Sequence, residues 1–247
     1  MTGCAPTHAM VLAAGLGLRM RPLTETTPKP LIEVAGRTML DRALDRLVEQ
    51  EVRTAVVNTH WLPEQVERHL EDRTDIAIEI SREDELLETG GGVAKALPLL
   101  GDAPFFVVNA DIIWRDGASP ALGRLARGWD DDAMDALLLL NGVVRSTGYD
   151  GPGDFMMDPA GRLSRRPERV IAPFVFTGVQ LVHPRLFADC PAGPFSMNVL
   201  YDRAIEAGRL YGLAHDGEWY HVGTPDAVGE AEAEILEREG SRVRRLF

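Results

Sequence analysis

An apolar run, Met10 to Ala14, leads into Gly15-Leu-Gly17 and then into a basic, proline-studded stretch that ends at Leu31. No other feature constrains the fold as tightly. The apolar run reads as a buried strand. The two glycines let backbone N–H groups come close to something flat or anionic. Arg19, Arg21 and Lys29 follow, and Pro22, Pro28 and Pro30 stiffen the loop that carries them. A strand, a glycine turn and a rigid cationic arm together suit a triphosphate. A dinucleotide fingerprint would need a third glycine where Met20 stands, and a helix directly after the turn. The prolines oppose that helix. No G-K-[ST] follows at P-loop spacing.

Apolar runs alternate with amphipathic stretches along the chain, which favours an α/β fold: a doubly wound, mostly parallel sheet with helices on both faces. Strands are expected over 9–13, 53–58, 76–80, 104–109, 133–140 and 173–182. Helices are expected over 39–49, 64–70, 93–100 and 197–207, with a charged amphipathic helix from Pro225 to about Glu239. Two hairpins are expected, 154–157 with 162–164 and 210–214 with 218–222. The second is suggested by the turn residues His215-Asp216-Gly217. The 247 residues suit a single domain. Its nucleotide-binding half would run to about residue 140. A turn-rich half of about 141–224 would carry small β-hairpin additions and form the second substrate wall.

Composition narrows the partners. A net charge of −12 disfavours nucleic acid, so positive groups that meet an anionic small substrate must be concentrated locally. Lysine occurs only at Lys29 and Lys95, among many arginines. Lys29 reads as a compact charge placed between phosphates, or as a solvated loop residue; Lys95 reads as solvated. Cys4 and Cys190 are far apart and lack metal-site spacing. No targeting segment and no apolar run of membrane length is present, so a cytoplasmic protein with no membrane partner is expected.

Sheets of this class bind ligands beyond the carboxyl ends of their strands. Asn109-Ala-Asp111 falls at such an end. A carboxylate there is costly to bury unpaired, so Asp111 either holds a divalent cation or caps the following segment. Glu88-Thr-Gly-Gly-Gly92 either lets backbone approach a nucleobase or turns the chain into the helix from Val93. His60 and Trp61 line a pocket rim or pack a helix start; the second reading is preferred.

The string from Gly15 through Arg19, Met20 and Pro22-Leu-Thr24 to Pro28-Lys-Pro30 resembles the signature of sugar-1-phosphate nucleotidyltransferases. The resemblance extends almost to the C-terminus. It is nearest to the N-acetylmuramate-1-phosphate uridylyltransferase branch, through Asn58-Thr-His-Trp-Leu62, Leu87 to Gly92, Gly101 to Phe105, Gly151 to Phe155, Phe176 to Gln180 and Val222 to Pro225.

That resemblance implies a Rossmann-like nucleotidyltransferase fold, a nucleoside triphosphate (UTP) as donor and a sugar 1-phosphate (N-acetylmuramate 1-phosphate) as acceptor, in cell-wall recycling. A GTP- or CTP-using mannose or heptose enzyme, or a non-catalytic nucleotide-sugar-binding protein, stays open. It implies catalytic roles for Arg19, Lys29 and Asp111. It places Ala13, Ala14, Gly15, Gly17, Glu88, Thr89, Gly90 and Gly91 against the nucleotide, and Asn109, Thr177, Gly178 and Asn198 toward the sugar. Ser196 joins that wall. Arg166 falls near the position of a family lysine that contacts the sugar phosphate, or is a solvated hairpin residue. The implied cofactor is Mg²⁺, or Mn²⁺ or another transition metal. The family's second metal-binding Asp is replaced by His221 in Trp219-Tyr-His-Val-Gly-Thr-Pro225. His221 then binds metal through a ring nitrogen, Asp111 serves alone, or activity is lost; the intact remaining motifs favour the first two.

Overall fold

The computed structural model describes residues 5–244. Cys4 lies outside them, and Cys190 is a free thiol. The first strand, β1 (His8–Leu12), is covered on both sides of the sheet. Its residues alternate between two cores: Ala9 and Val11 enter one apolar cluster, Met10 the other. This is the period-two signature of a strand buried on both faces.

Two short strands, β2 (Glu33–Val34) and β3 (Arg37–Thr38), form a small ribbon before α1 (Met39–Glu49). Helix α1 coincides with its sequence expectation. The hydroxyl of Thr38 accepts from the Asp41 N–H at 3.0 Å and caps the helix. Met39, Leu40, Ala43, Leu44 and Leu47 form its buried face. Then follow β4 (Thr54–Thr59), α2 (Pro63–Glu71), β5 (Ala77–Arg82), α3 (Glu88–Leu100) and β6 (Phe105–Asn109). Strands β5, β4, β1 and β6 lie side by side in parallel, with Leu12 level with both Asn58 and Asn109.

The chain continues through β7 (Ile112–Arg115), α4 (Ala121–Gly128), β8 (Ala136–Gly142), β9 (Ser146–Thr147), the antiparallel pair β10 (Phe155–Met157) and β11 (Leu163–Arg165), and the long β12 (Phe174–Val182). Strand β12 runs against β6 on one side and β8 on the other. Its first residue, Phe174, bonds β10, which attaches the hairpin. Helix α5 (Met197–Glu206), β13 (Leu210–Ala214), β14 (Glu218–His221) and α6 (Pro225–Arg244) complete the fold. Leucines of α1, with residues of α2 and α4, fill the core on one face of the sheet. Residues of α3 and α5 fill the other. The fold is the doubly wound α/β arrangement expected.

Three local expectations need correction. Strands β13 and β14 do not form a hairpin. Strand β13 joins the main sheet parallel to β8, and β14 pairs with β7 and β9 in a separate three-stranded sheet. Helix α3 begins at Glu88 rather than Val93, so the glycine run is helical. Strand β7 and helix α4 were not expected at all. Among the described residues no helix is long and apolar enough to cross a membrane.

A third apolar cluster fixes the basic arm. Met20, Ile32 and Val34 pack with Ile113, Tyr220, Val222 and the α6 residues Ala231 and Ile235. The residue that spoils the dinucleotide fingerprint is thus the fully buried anchor of the arm. Burying such a side chain contributes about 1.5–3 kcal/mol.

Candidate active site

The ends of β1, β4 and β6 open onto a cavity of about 350 Å³. Ala13, Ala14, Gly15, Lys29, Glu88, Thr89, Asn109 and Asp111 line it, with Asn58, Pro30 and Ser196. The structure therefore brings about half of the sequence-identified groups together in one wall.

The arm reaches this cavity by a braced path. The hydroxyl of Thr24 donates to the Gly17 carbonyl at 2.8 Å, and the Trp61 indole N–H donates to the Thr24 carbonyl at 3.0 Å. Trp61 thus holds the arm in place. His60 contacts the Glu83 carbonyl at 3.0 Å. Gly17 itself is left-handed (φ 61°), and a Cβ there would lie 2.8 Å from Thr24 Cγ2, so it shapes the arm instead of lining the cavity. The braced arm delivers the Lys29 ammonium to Asp111 Oδ2 at 2.7 Å. The Lys29 side chain is 9% exposed and that of Asp111 38%.

Arg19 lies outside the cavity wall, exposed, and makes no ion pair among the described residues. It stands near His221, whose β14 residue pairs with Ile112 of β7, next to Asp111. Burial lowers the pKa of His221, and the charges of Lys29 and Arg19 lower it further, against the opposing pull of Asp111. These effects favour the neutral imidazole. Tyr149 and Trp219 flank it, with ring centroids at 6.2 and 5.7 Å. Among the described residues no three His, Cys, Asp or Glu side chains come together as a metal cluster.

Two residues that sequence reasoning did not single out hold the cavity floor. Asn58 Oδ1 accepts from the Ala13 N–H at 2.7 Å, while its Nδ2 donates to buried Glu83 Oε1 at 2.7 Å. Glu83 Oε2 accepts from the Leu87 N–H at 2.9 Å and positions the start of α3. The available signal was a polar residue at or just past the ends of β4 and β5, as at Asn109 in β6.

Besides Gly17, the expected residues Gly90, Gly91, Thr177 and Gly178 do not line the first cavity. Gly90 and Gly91 are buried inside α3, and both N–H groups donate to the Phe195 carbonyl, at 2.8 and 3.1 Å. They permit close packing against the segment around Gly193 and Phe195. Thr177 is fully buried. Its hydroxyl donates to the Leu139 carbonyl at 2.8 Å, and its carbonyl accepts from the Trp219 indole at 2.9 Å. Gly178 (φ 86°) occupies an irregularity of β12, where a Cβ would lie 2.9 Å from Asn109 Nδ2. It makes room for Asn109 instead of facing a sugar.

Two further cavities continue from the first. One, of about 210 Å³, shares Leu12, Thr89, Asn109 and Ser196 with it. The other, of about 350 Å³, shares Phe176, Asn198 and Tyr201 with the second. Asn198 lines both outer cavities, and Arg165 and Arg166 lie in the last.

The family described as nucleotidyl transferase matches residues 8–149. The N-acetylmuramate alpha-1-phosphate uridylyltransferase of Caulobacter vibrioides is 46% identical, over 94% of this chain and 98% of its own length. The enzyme of the same name from Neisseria meningitidis serogroup B is 37% identical, over 91% and 96%. A crystal structure of UDP-glucose pyrophosphorylase with UDP-glucose superposes at a TM-score of 0.80 with 15% identity, covering 94% of this chain and 99% of that one, a likeness of fold. Identity of this extent over nearly the full length of both sequences leaves no room for a chance likeness, and the chain belongs to the nucleotidyl transferase family.

Proposed function

We propose that this chain transfers the uridylyl group of UTP to N-acetylmuramate α-1-phosphate, a step in the recovery of cell-wall sugars. A phosphate oxygen of the acceptor attacks the α-phosphorus. The new P–O bond forms as the bond to the β-phosphate oxygen breaks, and pyrophosphate leaves in line. No covalent enzyme intermediate is needed, so catalysis rests on positioning and charge neutralisation.

The observation that carries the reading is the Lys29–Asp111 contact at the mouth of the cavity. The buried ammonium of Lys29 meets the α-phosphate and the incoming sugar phosphate. Arg19, free of acidic partners among the described residues, holds the β- and γ-phosphates and stabilises the leaving pyrophosphate. Ala13, Ala14, Gly15, Glu88 and Thr89 contact the base and ribose. A Cβ on Gly15 would meet open space, which leaves room for a nucleotide. Asn109 stands where donor and acceptor cavities meet, and Asn198 lies on the acceptor side.

The donor set also fits a divalent cation such as Mg²⁺ or Mn²⁺. Asp111 Oδ1 has no hydrogen-bond partner among the described residues, and the neutral imidazole of His221 lies on the adjoining strand. Asp111, with His221, would hold the ion, and phosphate oxygens and water would complete its shell. Such an ion neutralises charge on the phosphates.

Pyrophosphate release from UTP, CTP, GTP and ATP, with N-acetylmuramate 1-phosphate, N-acetylglucosamine 1-phosphate and mannose 1-phosphate, in Mg²⁺ and in Mn²⁺, tests the reading. UTP with the muramate acceptor is expected to dominate. A preference for GTP or CTP overturns the donor. Tight nucleotide binding without pyrophosphate release in either metal overturns catalysis.

A further inference from the structure

The outermost of the three connected cavities contains two adjacent arginines in different electrostatic states. Arg165 is ion-paired: its Nε donates to Asp202 Oδ1 at 2.6 Å, and its Nη2 to Asn198 Oδ1 at 3.1 Å. It also stacks over the Phe155 ring, 4.9 Å from the centroid. Arg166 has no carboxylate within 4.0 Å among the described residues. Its backbone N–H donates to the Asp154 carbonyl at 3.1 Å, and its Nη1 donates to the Val170 carbonyl at 3.0 Å. These bonds aim the guanidinium without pairing its charge, and leave Nε and Nη2 unengaged among the described residues. Asp154, the acidic side chain in that wall, has Oδ2 on the Phe176 N–H at 2.8 Å.

An oriented, half-buried guanidinium with free donors is a fork for a carboxylate. Its place is telling. The cavity with Lys29 and Asp111, where a sugar phosphate would react, does not include Arg166; the middle cavity lies between them. An acceptor that spans this path carries phosphate at one end and needs an anion at the other. N-acetylmuramate differs from N-acetylglucosamine by a lactyl ether that ends in a carboxylate. We infer that Arg166 binds the lactyl carboxylate of the acceptor and sets the preference for acidic over neutral sugar phosphates. This rests on the reading of the chain as a transferase to sugar 1-phosphates.

The test compares kcat and KM for N-acetylmuramate 1-phosphate and N-acetylglucosamine 1-phosphate, with UTP, in wild type, Arg166→Leu and Arg166→Lys. Removing one charge-assisted contact made equally in ground and transition states should raise KM for the muramate acceptor about 10–100-fold, with little effect on kcat. The ratio of kcat/KM between the two acceptors should fall by the same factor, and Arg166→Lys should restore part of it. Thermal midpoints of the three proteins check that each is folded. Equal losses on both acceptors, or no loss on either, overturn the assignment, as does a wild type that favours the neutral acceptor. A wild type inactive with every sugar phosphate fails at an earlier step, and overturns the underlying reading along with the inference.

Discussion

The Lys29 ammonium and the Asp111 carboxylate meet at 2.7 Å although 82 positions separate them in the chain. The contact docks the basic arm onto the segment that follows β6. The arm is thus held in place by its own counter-charge.

The cationic arm gives the first prediction. Lys29→Ala and Arg19→Ala should each lower the rate of pyrophosphate release about 10²–10³-fold, the usual effect of losing one preorganised electrostatic contact. Arg19 is exposed and makes no ion pair among the described residues, so its replacement should leave the thermal midpoint near that of wild type. Near-wild-type rates in both variants would reject their assignment.

A second prediction concerns His221. A neutral imidazole adds no negative charge and suits softer cations than Mg²⁺. The rate should be higher in Mn²⁺ or Co²⁺ than in Mg²⁺, and His221→Asp should raise the Mg²⁺ rate. Equal rates in all three ions, with no gain in the variant, would count against a role for His221 at the metal.

The cavity floor supplies a third. Asn58→Leu would leave the Ala13 N–H without its acceptor and Glu83 Oε1 without its donor, both buried. The expected loss is roughly 1–3 kcal/mol for each unsatisfied group, read from urea unfolding. Since Ala13 lines the donor cavity, the KM for UTP should rise as well.

Stability should depend on pH through His215. Its Nε2 lies 3.1 Å from the Arg115 carbonyl and 3.2 Å from the Glu218 carbonyl, so that nitrogen carries the proton. Its Nδ1 is buried without a partner. Burial accordingly lowers the pKa below the ordinary 6.5. A folded-state pKa below the unfolded value means that the unfolded chain binds more protons as the medium acidifies. The contribution is complete above about pH 6.5 and declines below it, by at most about 1.4 kcal/mol per pH unit for one proton. His215→Gln should flatten the fall in unfolding free energy between pH 7 and pH 5. An unchanged slope would exclude His215 as its source.

How far the sequence could be read depended on whether the deciding interaction was local. Helix α1 was legible to the residue, because its cap, Thr38, and its apolar spacing lie within one short segment. The start of α3 was not. Glycines disfavour helix on their own, and what overrides that preference is a carbonyl about a hundred residues away, that of Phe195, together with the carboxylate of Glu83. The turn at His215-Asp216-Gly217 was located correctly, but a turn signal does not say whether its flanking strands pair with each other. The burial of Thr177 had no sequence signal, since both partners, Leu139 and Trp219, come from other strands. The arm, Asp111 and the strand-end Asn109 were visible because each follows an unmistakable buried strand.

Strand β12 has one more consequence. Bonded to β6 along one edge and to β8 along the other, it joins the parallel strands that end at the first cavity to the hairpin that carries Arg165. Backbone hydrogen bonds therefore run unbroken through one sheet from one side of these cavities to the other.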